Sequence, residues 1–168
     1  SGGMVLTDDP ELYNYIQNLK DNGKCSSHAM CGTNSKMSEV DCAQMIIKLK
    51  YFSAWQKRRT DIAEYYNHRF HNYVDVPRPQ PGVTHAWSKY IIRSPDRDHI
   101  AVKLSDAGID HKINYPRPLH TYQVVRDDSA KNYKALEFCT QGLALPIYPE
   151  LTDYEVDLIC DTICDFYT

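Results

Sequence analysis

The feature that most constrains this chain is a stretch of more than thirty residues without glycine or proline, opened by Gly32-Thr33-Asn34-Ser35-Lys36-Met37. A turn signal followed by so long an uninterrupted run predicts a helix from Ser35, or a residue or two later, to about His71. Its first half is apolar around most of its circumference: Cys42, Ala43, Met45, Ile46, Ile47, Leu49, Tyr51, Phe52, Ala54 and Trp55 fall close together. A surface helix shows one apolar stripe, so this half is expected to be covered on more than one side. The second half sets Lys57, Arg58, Arg59, Asp61 and Glu64 against Ile62, Tyr65, Tyr66 and Phe70. That is ordinary amphipathic spacing, expected to emerge into solvent.

Upstream, Met4-Val5-Leu6-Thr7 reads as a short strand that needs a partner. Asp9 is placed to cap a helix with Pro10 at its first position, Leu12, Tyr15, Ile16 and Leu19 as its buried stripe, and Gly23 as its stop. Downstream, Pro77, Pro79 and Pro81 impose an extended connector. A strand is expected over 86–92, a helix over 96–107 closed by Gly108, and a second strand over 109–113. The turn Asn114-Tyr115-Pro116-Arg117-Pro118-Leu119-His120 has its backbone fixed by two prolines, which holds Tyr115, Arg117 and His120 in definite directions. A helix over about 130–141, an extended segment through Leu143–Pro149 and a closing helix complete the chain. Thr152 and Glu155 form a capping box for that last helix, with Val156, Ile159, Ile163 and Phe166 on its apolar face. The alternation predicts an α/β arrangement, a small sheet covered by helices.

A length of 168 residues allows a real core. The net charge of −3, with both signs interspersed, argues against a nucleic-acid or polybasic membrane surface. No run approaches the ~20 apolar residues a membrane span needs. We read the protein as cytoplasmic, with no nucleic acid and no membrane among its partners. Its six cysteines are expected as reduced thiols, because several occupy core-like helical positions in a chain that does not need staples.

Taken together, Gly2-Gly3-Met4-Val5-Leu6-Thr7-Asp8-Asp9, His28 with Gly32–Met37, Arg58-Arg59 with Tyr65-Tyr66, His85-Ala86-Trp87 to Arg93, Tyr115-Pro116-Arg117-Pro118-Leu119-His120 and Leu145–Thr152 resemble the DegT/DnrJ/StrS sugar aminotransferases, in that family's order. The resemblance implies the C-terminal part of a fold-type I transferase dependent on pyridoxal phosphate. Residues 1–34 would be a strand, helix and loop of the large cofactor-binding domain, 35–72 the long linking helix, and 73–168 a small α+β domain with a short sheet. It also implies amino transfer to a nucleotide-linked keto-sugar in the complete enzyme. No lysine of this chain matches the family's Schiff-base position, so the chain alone is expected to be inactive and to bind no cofactor. It is then either a piece of a longer enzyme or a short gene product.

The same resemblance assigns Asn34 and Lys36 to the cofactor phosphate, and His28, Tyr115, Arg117 and His120 to the substrate. Lys36 replaces a family arginine and loses its bidentate fork. Thr33 stands where an aromatic is common, and Asn114 where histidine is. Plainer roles stay open beside these: Asn34 as a helix cap, Lys36 as a solvated cation, and the proline-braced turn as packing. Cys25, His28 and Cys31 have a spacing that could begin a zinc site, but the second pair of ligands is missing, so loop thiols are expected. The run Lys48, Lys50, Lys57, Arg58, Arg59 reads as a solvated face. A rival to the enzyme reading is a non-catalytic association module in which the apolar surface over 42–55 drives formation of a homodimer or higher oligomer, or pairing with a related subunit.

Overall fold

The computed structural model describes residues 3–24, 30–127, 129 and 132–168. Its contacts divide the chain into two compact units, Ser1–Tyr51 and Phe52–Thr168.

In the first unit, Asp9 caps helix α1 (Pro10–Lys20), its Oδ1 accepting from the N–H groups of Glu11 at 2.8 Å and Leu12 at 3.2 Å. The helix ends through Asn22 and Gly23, both at positive φ. Residues 33–35 then return along its C-terminal end: Thr33 N–H donates to Leu19 C=O at 2.8 Å and Ser35 N–H to Lys20 C=O at 2.9 Å. Two glycines make this return possible. A Cβ on Gly32 would stand 2.2 Å from the Gly23 nitrogen, and one on Gly23 would stand 1.9 Å from the Met30 carbonyl oxygen. The strand expected at 4–7 is absent, since nothing among the described residues pairs with it and Met4, Val5 and Leu6 are exposed. The stripe expected on α1 is only half covered: Leu12 and Tyr15 are exposed, Ile16 and Leu19 half-buried.

Helix α2 (Glu39–Phe70) begins later than the turn signal suggests. The pairing of residues 33–35 with the end of α1 holds that segment extended, and Ser38 becomes the cap. Its hydroxyl oxygen accepts from the Asp41 N–H at 3.1 Å, and its carbonyl accepts from the Cys42 N–H at 2.9 Å. The two halves of α2 reverse the expected burial. Ile46 (62 % exposed) and Leu49 (62 %) face solvent in the first half, whereas Ile62, Ala63, Tyr66 and Phe70 are buried in the second.

The second unit is built on that last part of α2. Strand β1 (Tyr90–Arg93) pairs antiparallel with β2 (Gly142–Leu145), Tyr90 opposite Leu145 and Arg93 opposite Gly142. Single bridges widen this ribbon, Asp75 to Arg93 on one side and Lys112 to Ala144 on the other. Helix α3 (Arg97–Asp106) packs on α5 (Asp153–Tyr167), and α4 (Tyr133–Gln141) contacts both strands. The core centres on Tyr66, Phe70, Tyr90, Ile92, Leu143 and Ile163. Tyr66 stacks on Phe70 with ring centroids 5.4 Å apart and tilts against Tyr90 at 5.0 Å. Polar clamps tie α2 to the chain around α5: Arg58 donates to Leu151 C=O at 2.6 Å and to Asp153, Tyr65 to Asp157 at 2.5 Å, and Arg69 to Asp161 at 2.6 Å.

Both expected strands of the middle region shrink, each for a backbone reason. Trp87 takes φ 47°, its N–H donates to His85 Nδ1 at 3.0 Å and its C=O accepts from Arg59 at 3.2 Å, so pairing cannot begin before Tyr90. At 109–113 the Ile109 N–H is spent closing α3 through Gly108, and Pro116 and Pro118 lack the N–H a longer ladder needs. Only the Lys112 bridge survives. Helix α4 starts at Tyr133, with the Asn132 side chain accepting from the Ala135 N–H at 3.0 Å. The capping box at Thr152 and Glu155 is present as expected.

Candidate functional site

The loop ahead of α2 carries the two residues expected at a cofactor phosphate. Asn34 is exposed and its backbone forms an isolated bridge with Asp21. It does not cap α2, because Ser38 does. Lys36 Nζ lies 2.7 Å from Asp21 Oδ1, and this ion pair holds the Asp21 carboxyl below its ordinary range. The loop therefore presents an exposed amide and an ammonium, donors of the kind a phosphate accepts. These two residues fit contact with the phosphate of pyridoxal phosphate. A phosphate at Lys36 would compete with Asp21 for its charge. His28 lies outside the described residues, as does Cys25, and with them the zinc alternative. Among the described residues no cluster of His, Cys, Asp and Glu is arranged to hold a metal ion. Of the basic run on α2, Lys57 pairs with Asp61, Arg58 with Asp153, and Arg59 donates to backbone carbonyls.

Of the other expected residues, Tyr115 and Arg117 lie beside the outward face of the small sheet. Strand alternation turns Tyr90 and Ile92 into the core and leaves Lys89, Ile91 and Arg93 facing out. Two cavities of about 390 and 430 Å³ open along this face and share Lys89, Ile91 and Phe138. Tyr115 and Arg117 line the first, so the structure brings these two together. His120 does not line it; it sits half-buried in a 3-10 turn, Leu119–Thr121, where its C=O accepts from the Asp127 N–H at 3.0 Å.

Pro118 is buried and anchors the turn, its carbonyl accepting from both the N–H and the hydroxyl of Thr121 at 3.0 and 2.7 Å. Tyr115 and Arg117 project beside this anchor. The Arg117 guanidinium lies over the Tyr122 ring at 5.1 Å, and the Lys89 ammonium over the Tyr115 ring at 5.4 Å. His85 and Arg78 line the second cavity, with Arg93 at its edge paired to Asp75 and Glu137. The groove thus offers cations and ring faces on a rigid sheet. It suits an anionic ligand with an apolar or planar part.

Lys89, Arg78 and Phe138 are among the lining residues that the sequence did not mark as site residues. The signal for Lys89 was the alternation Lys89, Ile91, Arg93 opposite Tyr90 and Ile92, which defines a face but not which face is outward.

Comparison with known proteins fits this fold. Residues 1–164 match the DegT/DnrJ/EryC1/StrS aminotransferase family, and the chain belongs to it. It is 30 % identical, over 96 % of its length, to the erythromycin biosynthesis sensory transduction protein EryC1 of Saccharopolyspora erythraea, covering 46 % of that protein. It is also 30 % identical to the dTDP-3-amino-3,4,6-trideoxy-alpha-D-glucose transaminase of Streptomyces venezuelae, over 96 % of this chain and 45 % of that one. Among solved structures, DesV of S. venezuelae superposes with a TM-score of 0.89 at 27 % identity, over 96 % of this chain and 45 % of that one. The chain thus spans about half the length of the curated relatives it matches. Its fold is that of the C-terminal part of a fold-type I aminotransferase dependent on pyridoxal phosphate, as the resemblance implied.

Proposed function

We propose that this chain is the sugar-receiving part of an aminotransferase that places an amino group on a nucleotide-linked keto-sugar. The observation that carries the reading is the family match over nearly the whole chain, supported by relatives named as transaminases of dTDP- and UDP-linked sugars. In this reading residues 1–34 belong with the large domain, 35–72 link, and 73–168 form the small domain. Asn34 donates its side-chain amide, and Lys36 its ammonium, to the cofactor phosphate. Tyr115, Arg117 and His120 meet the substrate from the proline-braced turn, and His28 from the loop before α2. Bound pyridoxal phosphate supplies the exchange of amine for carbonyl; the residues of this chain bind and orient.

The chain by itself does not catalyse. Transamination needs a lysine amine that is desolvated beside the reacting carbon and free to move a proton. No described lysine is buried; Lys20 is half-buried and the others are exposed. Incubating the chain with pyridoxal phosphate, glutamate and a nucleotide-linked keto-sugar should give no amino-sugar above the protein-free rate. Stoichiometric, single-site labelling by the cofactor, with turnover, would overturn this.

A second reading is favoured by one observation, the exposed stripe Met45, Leu49 and Phe52 at helical spacing on α2. It makes the chain a subunit-pairing module, forming a homodimer or higher oligomer through that stripe. The two readings are compatible, since the pairing surface and the substrate turn are different parts of the sequence. No described helix is long and apolar enough to cross a membrane, and we place the protein in the cytoplasm.

A further inference from the structure

We infer that Lys89 receives the diphosphate of the nucleotide-linked substrate, on the outward face of β1, with Arg117 as its second cationic contact. The inference rests on the substrate reading, because Tyr115 and Arg117 are common to both; Lys89 is what it adds.

In the second cavity Arg93 is neutralised by Asp75 and Glu137, while Arg78 lines it with no carboxylate partner among the described residues. In the first, neither Lys89 nor Arg117 has a carboxylate partner among the described residues; each lies over a tyrosine ring instead. A ring face leaves the cation its charge and its hydrogen-bond donors, so both stay available to an anion. Lys89 lines both cavities, as do Ile91 and Phe138. A nucleobase and a neutral keto-sugar are uncharged, and the diphosphate is the anionic part common to every such substrate, so it is the group that answers uncompensated cations. The Tyr115 and Phe138 rings then offer apolar walls to the groups on either side of it. Lys89 is a binding and positioning residue and is not assigned a chemical step.

The test uses the chain itself with pyrophosphate, a nucleoside diphosphate, the matching free nucleoside and a nucleotide-linked sugar. Binding is followed by calorimetry and by amide shifts of Lys89, Ile91, Tyr115 and Phe138. Pyrophosphate and the diphosphate should bind and move these signals, more weakly as salt rises, while the nucleoside alone should not. Lys89→Met keeps the apolar stem and should weaken both by on the order of tenfold, the worth of one charge-assisted contact. Lys89→Arg should restore most of that loss. Lys103→Met removes an exposed cation from α3 and should change nothing. Equal affinity in the Lys89→Met and unaltered chains, or an equal loss in Lys103→Met, overturns the inference. If pyrophosphate binds at Lys89 and no nucleotide-linked sugar does, the anion site stands and the substrate reading fails. If the sugar nucleotide binds with an affinity indifferent to Lys89, the substrate reading stands and this inference fails. Binding of none of them overturns both.

Discussion

The Tyr66 hydroxyl donates to Pro146 C=O at 3.0 Å inside the core, and burial pushes its phenol well above the usual tyrosine range, so it remains a donor at any ordinary pH. Tyr66→Phe leaves that carbonyl without its partner and should cost about 1–2 kcal/mol, read as a lower urea midpoint with unchanged slope. Cysteine chemistry is separated in the same way. Burial pushes the Cys160 thiol up to about 12, while Cys31 is exposed. Because the thiolate is the reactive form, alkylation of the native chain at mildly alkaline pH should label Cys31 and spare Cys160. Peptide mapping checks this, and equal labelling would contradict it. At this scale the sequence was informative where the backbone is stiff: Pro116 and Pro118 announce the turn that presents Tyr115 and Arg117. Lys89 was hidden because alternation over 86–92 sets it with Ile91 opposite Tyr90 and Ile92 without saying which side faces out, apolar residues standing on both.

Elements whose signals are local were the legible ones. Asp9 with Pro10, and Thr152 with Glu155, place two helix starts because a cap satisfies its own neighbours' N–H groups. The second cap also has a pH signature. Hydrogen bonds from the Thr152 hydroxyl, then from the Thr152 N–H, hold the Glu155 carboxyl below its ordinary range. Its stabilising effect is therefore complete above the unfolded value, ~4.3 for glutamate, and is lost as pH falls through the lower folded value. Glu155→Gln should flatten the acid limb of stability against pH, and an unchanged limb would contradict this. Strands were poorly legible since they depend on partners distant in sequence; 109–113 yields one bridge because its neighbours on both sides are committed elsewhere. The start of α2 was misplaced for a similar reason, its approach being held extended against α1. Gly32→Ala should cost about 1–3 kcal/mol through overpacking, as its Cβ would press on backbone that cannot yield cheaply.

On the scale of the whole molecule, composition showed that α2 carries too much apolar surface for one stripe but not which half the chain itself would cover. The second half is buried within the second unit, whereas Ile46 and Leu49 in the first half stay exposed, the surface on which the proposed pairing rests. Hydrogen exchange should find the amides near Tyr66 far better protected than those near Ile46, while uniform protection along α2 would contradict the division into units. The joint variant Ile46→Glu with Leu49→Glu should turn a concentration-dependent oligomer into a monomer in sedimentation without altering the fold.

In the function proposed above, the chain receives a nucleotide-linked sugar through the braced turn and groove of its second unit. Titration of the chain with a nucleotide-linked sugar, followed residue by residue by amide shifts, tests it most directly. Saturable shifts are expected at Tyr115, Arg117 and His120, with Ile91 and Phe138 following. Saturable binding that leaves all of these unmoved, or no binding at all, would contradict it.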